Sequence, residues 1–144
     1  MKRCIIKTMS NQIFIDSSGF KALIDDNDDF FEKAVAMWSK LKDERGIELV
    51  TSNYMIDECL TLLRNRCGLE KAMILKSILT QGIPIIKVIR VKMGDEAGAW
   101  KWFEKDWSKL SFTDCVTFAQ MKRLGIKKYF GFDEHFDRAG FIQY

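Results

Sequence analysis

Histidine and proline are nearly missing from this 144-residue chain, each occurring once, as His135 and Pro84. The four cysteines, Cys4, Cys59, Cys67 and Cys115, form no C-x-x-C pair, so with one histidine the ligand spacing of a zinc site does not exist. With a single proline and no Gly/Ser-rich run, nothing reads as a linker, and the length suits one domain over 1–144. No apolar run approaches the ~20 residues that span a bilayer, so no membrane association is expected. Lys2-Arg3 is followed only by Cys4-Ile5-Ile6 before Lys7, too little for a secretory segment. Reduced thiols in a cytosol, and hence a cytoplasmic protein, are the expectation. Residues 1–11 read as a flexible N-terminal extension or a start-site choice. Repeats and low-complexity tracts are absent.

An apolar fraction of 47% beside 30% charge places the chain with ordinary soluble globular proteins. The net charge of +3 hides local bias, with acids at Asp25–Asp29 and bases at Lys122-Arg123 and Lys127-Lys128. The acidic cluster lacks the sixth-position glycine and final glutamate of a calcium loop and reads as helix capping in a solvated loop.

Apolar runs at Gln12–Asp16, Ile47–Thr51, Ile83–Val88 and Lys128–Phe132 read as strands, with Pro84 tolerable only near a strand start. Between them lie helical patterns: a segment from Phe20 after a Ser17-Ser18-Gly19 turn, one capped by Asp28, and one capped by Ser52 and ended by Gly68. Further helices are expected over 69–80, over 95–107 with Trp100, Phe103 and Trp107 on one face, and over 111–124. Alternating strands and helices predict an α/β fold, a three-layer α/β/α sandwich around a central, mainly parallel sheet.

Four acids stand at the ends of these segments: Asp16, Glu58, Asp114 and Asp133. Ligands of open α/β sheets bind beyond the carboxyl ends of the strands, where such acids converge. Four carboxylates in one crevice repel one another unless a cation lies among them, and oxygen donors select Mg²⁺ or Mn²⁺. Each acid has an ordinary alternative. Asp16 before Ser-Ser-Gly also reads as a helix cap, and Glu58 as a surface residue, although position 58 borders the buried face while Asp57 points to solvent. Ser111-Phe112-Thr113-Asp114 resembles a capping box. Asp137, one turn beyond Asp133, reads as a fifth ligand or as a partner of Arg138.

Four stretches, in order, carry a resemblance: Ile13-Phe14-Ile15-Asp16-Ser17-Ser18-Gly19-Phe20-Lys21-Ala22-Leu23-Ile24, Thr51-Ser52-Asn53-Tyr54-Met55-Ile56-Asp57-Glu58, Leu110-Ser111-Phe112-Thr113-Asp114, and residues 131–141 from Gly131 to Phe141. Together they resemble the PIN-domain nucleases, particularly the VapC type of toxin-antitoxin ribonuclease, over nearly the whole chain. The resemblance implies a catalytic, metal-binding quartet of Asp16, Glu58, Asp114 and Asp133, with Asp137 as a less constant fifth ligand. It also implies hydrolysis of RNA, transfer RNA among the substrates, with Mg²⁺ or Mn²⁺ as cofactor, a homodimer, and a small antitoxin as partner. The longer leader before Asn11 and Glu134 in place of a commonly basic residue are the departures.

Ser17 and Thr113 are placed to donate to a phosphate or a metal-bound water, or serve as turn and cap residues. Lys21, Arg64, Arg66, Lys122, Arg123 and Arg138 are the candidate basic rim, with Arg64 and Arg138 chosen as substrate-binding. His135 reads as a structural hydrogen-bonder, since metal activation of water needs no histidine base. Trp38, Trp100 and Trp107 are expected in the core, and Trp102 fits the helical pattern least. Two further readings stand beside the ribonuclease: a non-catalytic RNA-binding PIN-like module, and a DNA nuclease of the same fold.

Overall fold

Alternating side chains on the central strands explain the layers. In β1 (Gln12–Ile15), Ile13 and Ile15 face one side of the sheet and Phe14 the other; the same split separates Leu49 from Val50 and Phe130 from Tyr129. Both faces are therefore apolar, as a parallel sheet covered by helices requires. The structure, a computed structural model, describes residues 11–144. The expected extension over 1–11 lies, except for Asn11, outside the described residues.

Chain order continues with α1 (Ser17–Ile24), α2 (Phe31–Asp43), β2 (Glu48–Ser52), α3 (Asn53–Cys67), α4 (Leu69–Gln81), β3 (Ile86–Ile89), α5 (Met93–Phe103), α6 (Phe112–Leu124), β4 (Lys128–Phe130), α7 (Glu134–Arg138) and β5 (Ile142–Gln143). The five strands are all parallel in the order β3-β2-β1-β4-β5. One core joins Ile13, Ile15 and Phe130 to apolar residues of α1 to α4; the other joins Phe14, Val50 and Tyr129 to α6 and α7. The three-layer α/β/α sandwich is as expected, with no antiparallel strand among the described residues. Because β2 and β4 flank β1 on opposite sides, the strand order reverses at β1, and ligands of such sheets bind at that switch point.

Several boundaries differ from the sequence expectation. Ser17-Ser18-Gly19 is the first turn of α1, because Asp16 caps it by accepting from the Gly19 N–H at 2.9 Å. Asp28 organises the turn before α2 rather than capping it, accepting from Phe30 N at 2.8 Å. Ile83 to Ile85 precede β3 as an exposed segment, and α5 ends at Phe103. Trp38 and Trp107 are half-buried against the core as expected, whereas Trp100 is 55% exposed and Trp102, the least regular, packs edge-on against Phe118. Ser52 caps α3 as expected, accepting from Met55 N at 3.1 Å.

Two of the six rim candidates are structural. Lys21 pairs with Asp28 at 2.7 Å, and Arg123 grips Asp95 with Nε and Nη2 at 2.7 and 2.9 Å. Asp95 is 1% exposed, so removing its partner strands a buried charge. Arg123→Ala is therefore expected to cost about 2–3 kcal/mol of stability, below the full buried-pair loss because the guanidinium is one-third exposed. A urea-denaturation midpoint that did not move would show the pair to be solvent-screened.

Candidate active site

Asp16 follows β1 directly and sits 1% exposed at the switch point. Ser18 Oγ donates to its carboxylate, lying 2.8 and 2.9 Å from the two oxygens, and the same hydroxyl accepts from Phe132 N at 2.8 Å. One serine thus ties the end of β1 to the chain leaving β4. Gly131 completes the cradle: a Cβ there would stand 1.9 Å from Asp16 Oδ1, so only glycine lets this backbone approach the carboxylate.

Glu58 projects from the middle of α3, half-buried, while Asp57 is exposed, as the helical projection predicts. Ser17 Oγ donates to Glu58 Oε2 at 3.2 Å. Ser17 therefore orients a carboxylate. Ser111 caps α6 by accepting from Asp114 N at 3.0 Å, which sets Asp114 in the first helical turn, 6% exposed. Asp133 caps α7 and accepts from His135 N at 2.9 Å.

Electrostatics tie these acids into one group. Burial pushes the Asp16 carboxyl up to about 7, and the charges of Asp133 and Glu58 add to the rise while Gly19 and Ser18 oppose it. Asp114 is raised strongly, first by burial and then by Asp133, Glu58 and Asp16. Glu58 also rises through burial, held back by Ser111 and Ser17. The quartet thus converges from four separate elements. Groups pushed this way release their protons when a cation enters, and four carboxylates supply the hard oxygen donors a divalent ion prefers, so the residues fit such an ion.

The remaining candidates are distributed around this centre. Ligand atoms of Asp114, Asp133 and His135 lie within 4.8 Å of one another. Asp137 is exposed and accepts from the buried Tyr129 hydroxyl at 2.8 Å, which occupies one of its oxygens. Thr113, half-buried, contributes its carbonyl to Thr117 Oγ1. Arg64 and Arg66 are exposed in the last turn of α3. Arg138 stacks 4.5 Å over Trp107, and Lys122 lies 5.0 Å over Trp102. Sequence reasoning missed Ser18 and Gly131. Their signals were present, a hydroxyl two residues past the strand-end acid and a glycine directly after β4, but only the tertiary pairing of β1 with β4 gives them a common target.

An acidic quartet gathered from four helices and helix caps beside the switch point of a parallel α/β sheet offers the oxygen donors a divalent ion would need, and residues 13–142 match the PIN domain family model. The chain belongs to the PIN-domain family. It is 32% identical over 132 residues, 91% of this chain and 96% of the relative, to the 23S rRNA-specific endonuclease VapC20 of Mycobacterium tuberculosis. The crystal structure of that VapC20, a Sarcin-Ricin loop cleaving toxin, superposes with a TM-score of 0.78 at 31% identity, covering 90% of this chain and 96% of that one. FitAcB from Neisseria gonorrhoeae, at 14% identity and a TM-score of 0.64 over 92% of this chain and 96% of that one, shares the fold. The resemblance of the four motifs to VapC-type PIN domains is borne out. Among the described residues no helix is long and apolar enough to cross a membrane.

Proposed function

We propose that this protein is a Mg²⁺- or Mn²⁺-dependent endoribonuclease that hydrolyses phosphodiester bonds in structured RNA, as the toxin of a toxin-antitoxin pair. The observation that carries the reading is the gathering of Asp16, Glu58, Asp114 and Asp133, two of them almost wholly buried, at the β1/β4 switch point. A divalent ion held by these carboxylates would offset their mutual repulsion and supply Lewis-acid activation of water and charge stabilisation for phosphodiester hydrolysis.

The chain's own part is preorganisation. Gly19 and Ser18 stop Asp16 from rotating, Ser17 orients Glu58, and Ser111 fixes the first turn that presents Asp114. Without the cation, burial leaves a proton on Asp16 near neutral pH. Arg64, Arg66, Lys122 and Arg138 are the rim cations left for phosphates, since Lys21 and Arg123 are bound to acids. The relative's substrate puts ribosomal RNA, and its sarcin-ricin loop, ahead of the transfer RNA first expected. Homodimerisation and an antitoxin partner belong to the same reading, and the exposed Leu69, Met73 and Ile74 of α4 offer apolar surface for them.

The test is incubation of the purified protein with ribosomal RNA, transfer RNA and single-stranded DNA, with Mg²⁺ or Mn²⁺ and again with EDTA, beside Asp114→Asn. Discrete ribosomal RNA fragments that need both metal and Asp114 are expected. Cleavage of DNA alone would transfer the reading to a DNA nuclease of this fold, and binding without cleavage to a non-catalytic module.

A further inference from the structure

His135 is the chain's one histidine, and its ring is held on three sides. Nε2 lies 2.9 Å from the Ser108 carbonyl oxygen, which can only accept, so Nε2 carries a proton. The ring stacks on Trp107 at 6.2 Å with the planes 10° apart. In the neutral imidazole Nδ1 then bears a lone pair. That atom is buried and makes no hydrogen bond, although Asp133 Oδ1 is 3.0 Å away. Nδ1 thus faces a carboxylate oxygen at 3.0 Å from a buried position, and with the ring neutral a cation between or beside the two atoms is what would pair them.

Metal-binding histidines characteristically donate the other ring N–H to a carbonyl or carboxylate, which fixes tautomer and ring orientation. The Nε2–Ser108 contact has this form, and Nδ1 groups with carboxylate oxygens of Asp114 and Asp133. We propose that His135 Nδ1 is a nitrogen ligand of the divalent ion held by Asp114 and Asp133, and that it biases the site toward Mn²⁺ over Mg²⁺. The proposal rests on the metal-dependent reading above. Mg²⁺ is the harder ion and prefers an all-oxygen shell, whereas imidazole suits the later first-row ions. His135 would thus be a ligand rather than the structural hydrogen-bonder or general base considered from sequence.

A single histidine makes the test direct. Tag-free protein is loaded with Mn²⁺ and studied by pulsed electron paramagnetic resonance, at natural abundance and after ¹⁵N-histidine labelling. A ¹⁴N modulation that changes to a ¹⁵N pattern on labelling is expected, because every labelled nitrogen belongs to His135. Calorimetry on His135→Gln should show Mn²⁺ affinity reduced roughly 10–100-fold, with a smaller loss for Mg²⁺. The labelling arm uses the wild-type chain and does not depend on how the variant folds. Bound Mn²⁺ without histidine nitrogen coupling would overturn the ligand assignment and leave the metal site standing. No Mn²⁺ binding at millimolar concentration would overturn both.

Discussion

Asp16→Asn is expected to abolish RNA cleavage while making the metal-free protein more stable above pH 7. The activity loss should reach about 10³-fold or more, the scale of several kcal/mol that a correctly held metal contributes to the transition state. The stability gain follows from burial. The folded-state carboxyl is pushed up to about 7 from an ordinary 3.8. Between those values the folded protein keeps a proton that the unfolded chain has released, so metal-free stability falls as pH rises from about 4 to 7 and then levels off. The ceiling of this loss is on the order of 4 kcal/mol, from about three pH units at 1.36 kcal/mol each. Asp114, raised in the same direction, extends the fall to higher pH.

A neutral asparagine carries no such penalty and still offers an oxygen to the Gly19 N–H. Urea midpoints measured from pH 5 to 8 in EDTA should therefore decline for the wild type and decline less for Asp16→Asn. Saturating Mn²⁺ should restore wild-type stability at pH 8 and do little for the variant. Lys71 holds Asp25 well below the usual carboxylate range, so that pair stays intact across this window and does not imitate the effect. A wild-type midpoint that rose with pH would show that burial does not hold the Asp16 carboxyl above its ordinary range.

The carboxylates of the candidate site were legible because their signals are local. Asp16 follows three apolar strand residues, Ser111 and Asp114 have capping spacing, and Glu58 rather than Asp57 lies beside the buried Met55 and Cys59. The layer order followed from alternation of strands and helices. What stayed hidden depends on contacts between distant segments. Arg123 looked like a free surface cation until α5 brought Asp95 against it, and Trp102 broke the helical pattern because α6 set its direction. β5 is two residues long, too short to leave a periodic signal. His135 looked structural because its functional clue is the orientation of Nδ1, which is set by the Ser108 carbonyl 27 residues away.

Gly131→Ala should cost a large part of the activity lost on deleting the Asp16 charge, although it removes no carboxylate. The added Cβ would lie 1.9 Å from Asp16 Oδ1 and 2.5 Å from its Cγ, well inside contact distance, so the carboxylate or the chain after β4 must move. Neither moves cheaply. Asp16 is fixed by Gly19 N and Ser18 Oγ, and the following residue, Phe132, is bound through its N–H to that same Ser18 hydroxyl. A displacement of about 1 Å at the reacting centre costs on the order of 10²-fold in rate, and overpacking of this kind costs about 1–3 kcal/mol of stability. The two substitutions act on one atom, so their effects on turnover should not add. Gly131→Ala combined with Asp16→Asn is expected to be no slower than Asp16→Asn alone. If the double variant instead lost activity by the product of the single effects, Gly131 would be acting on the site by a route other than the Asp16 carboxylate.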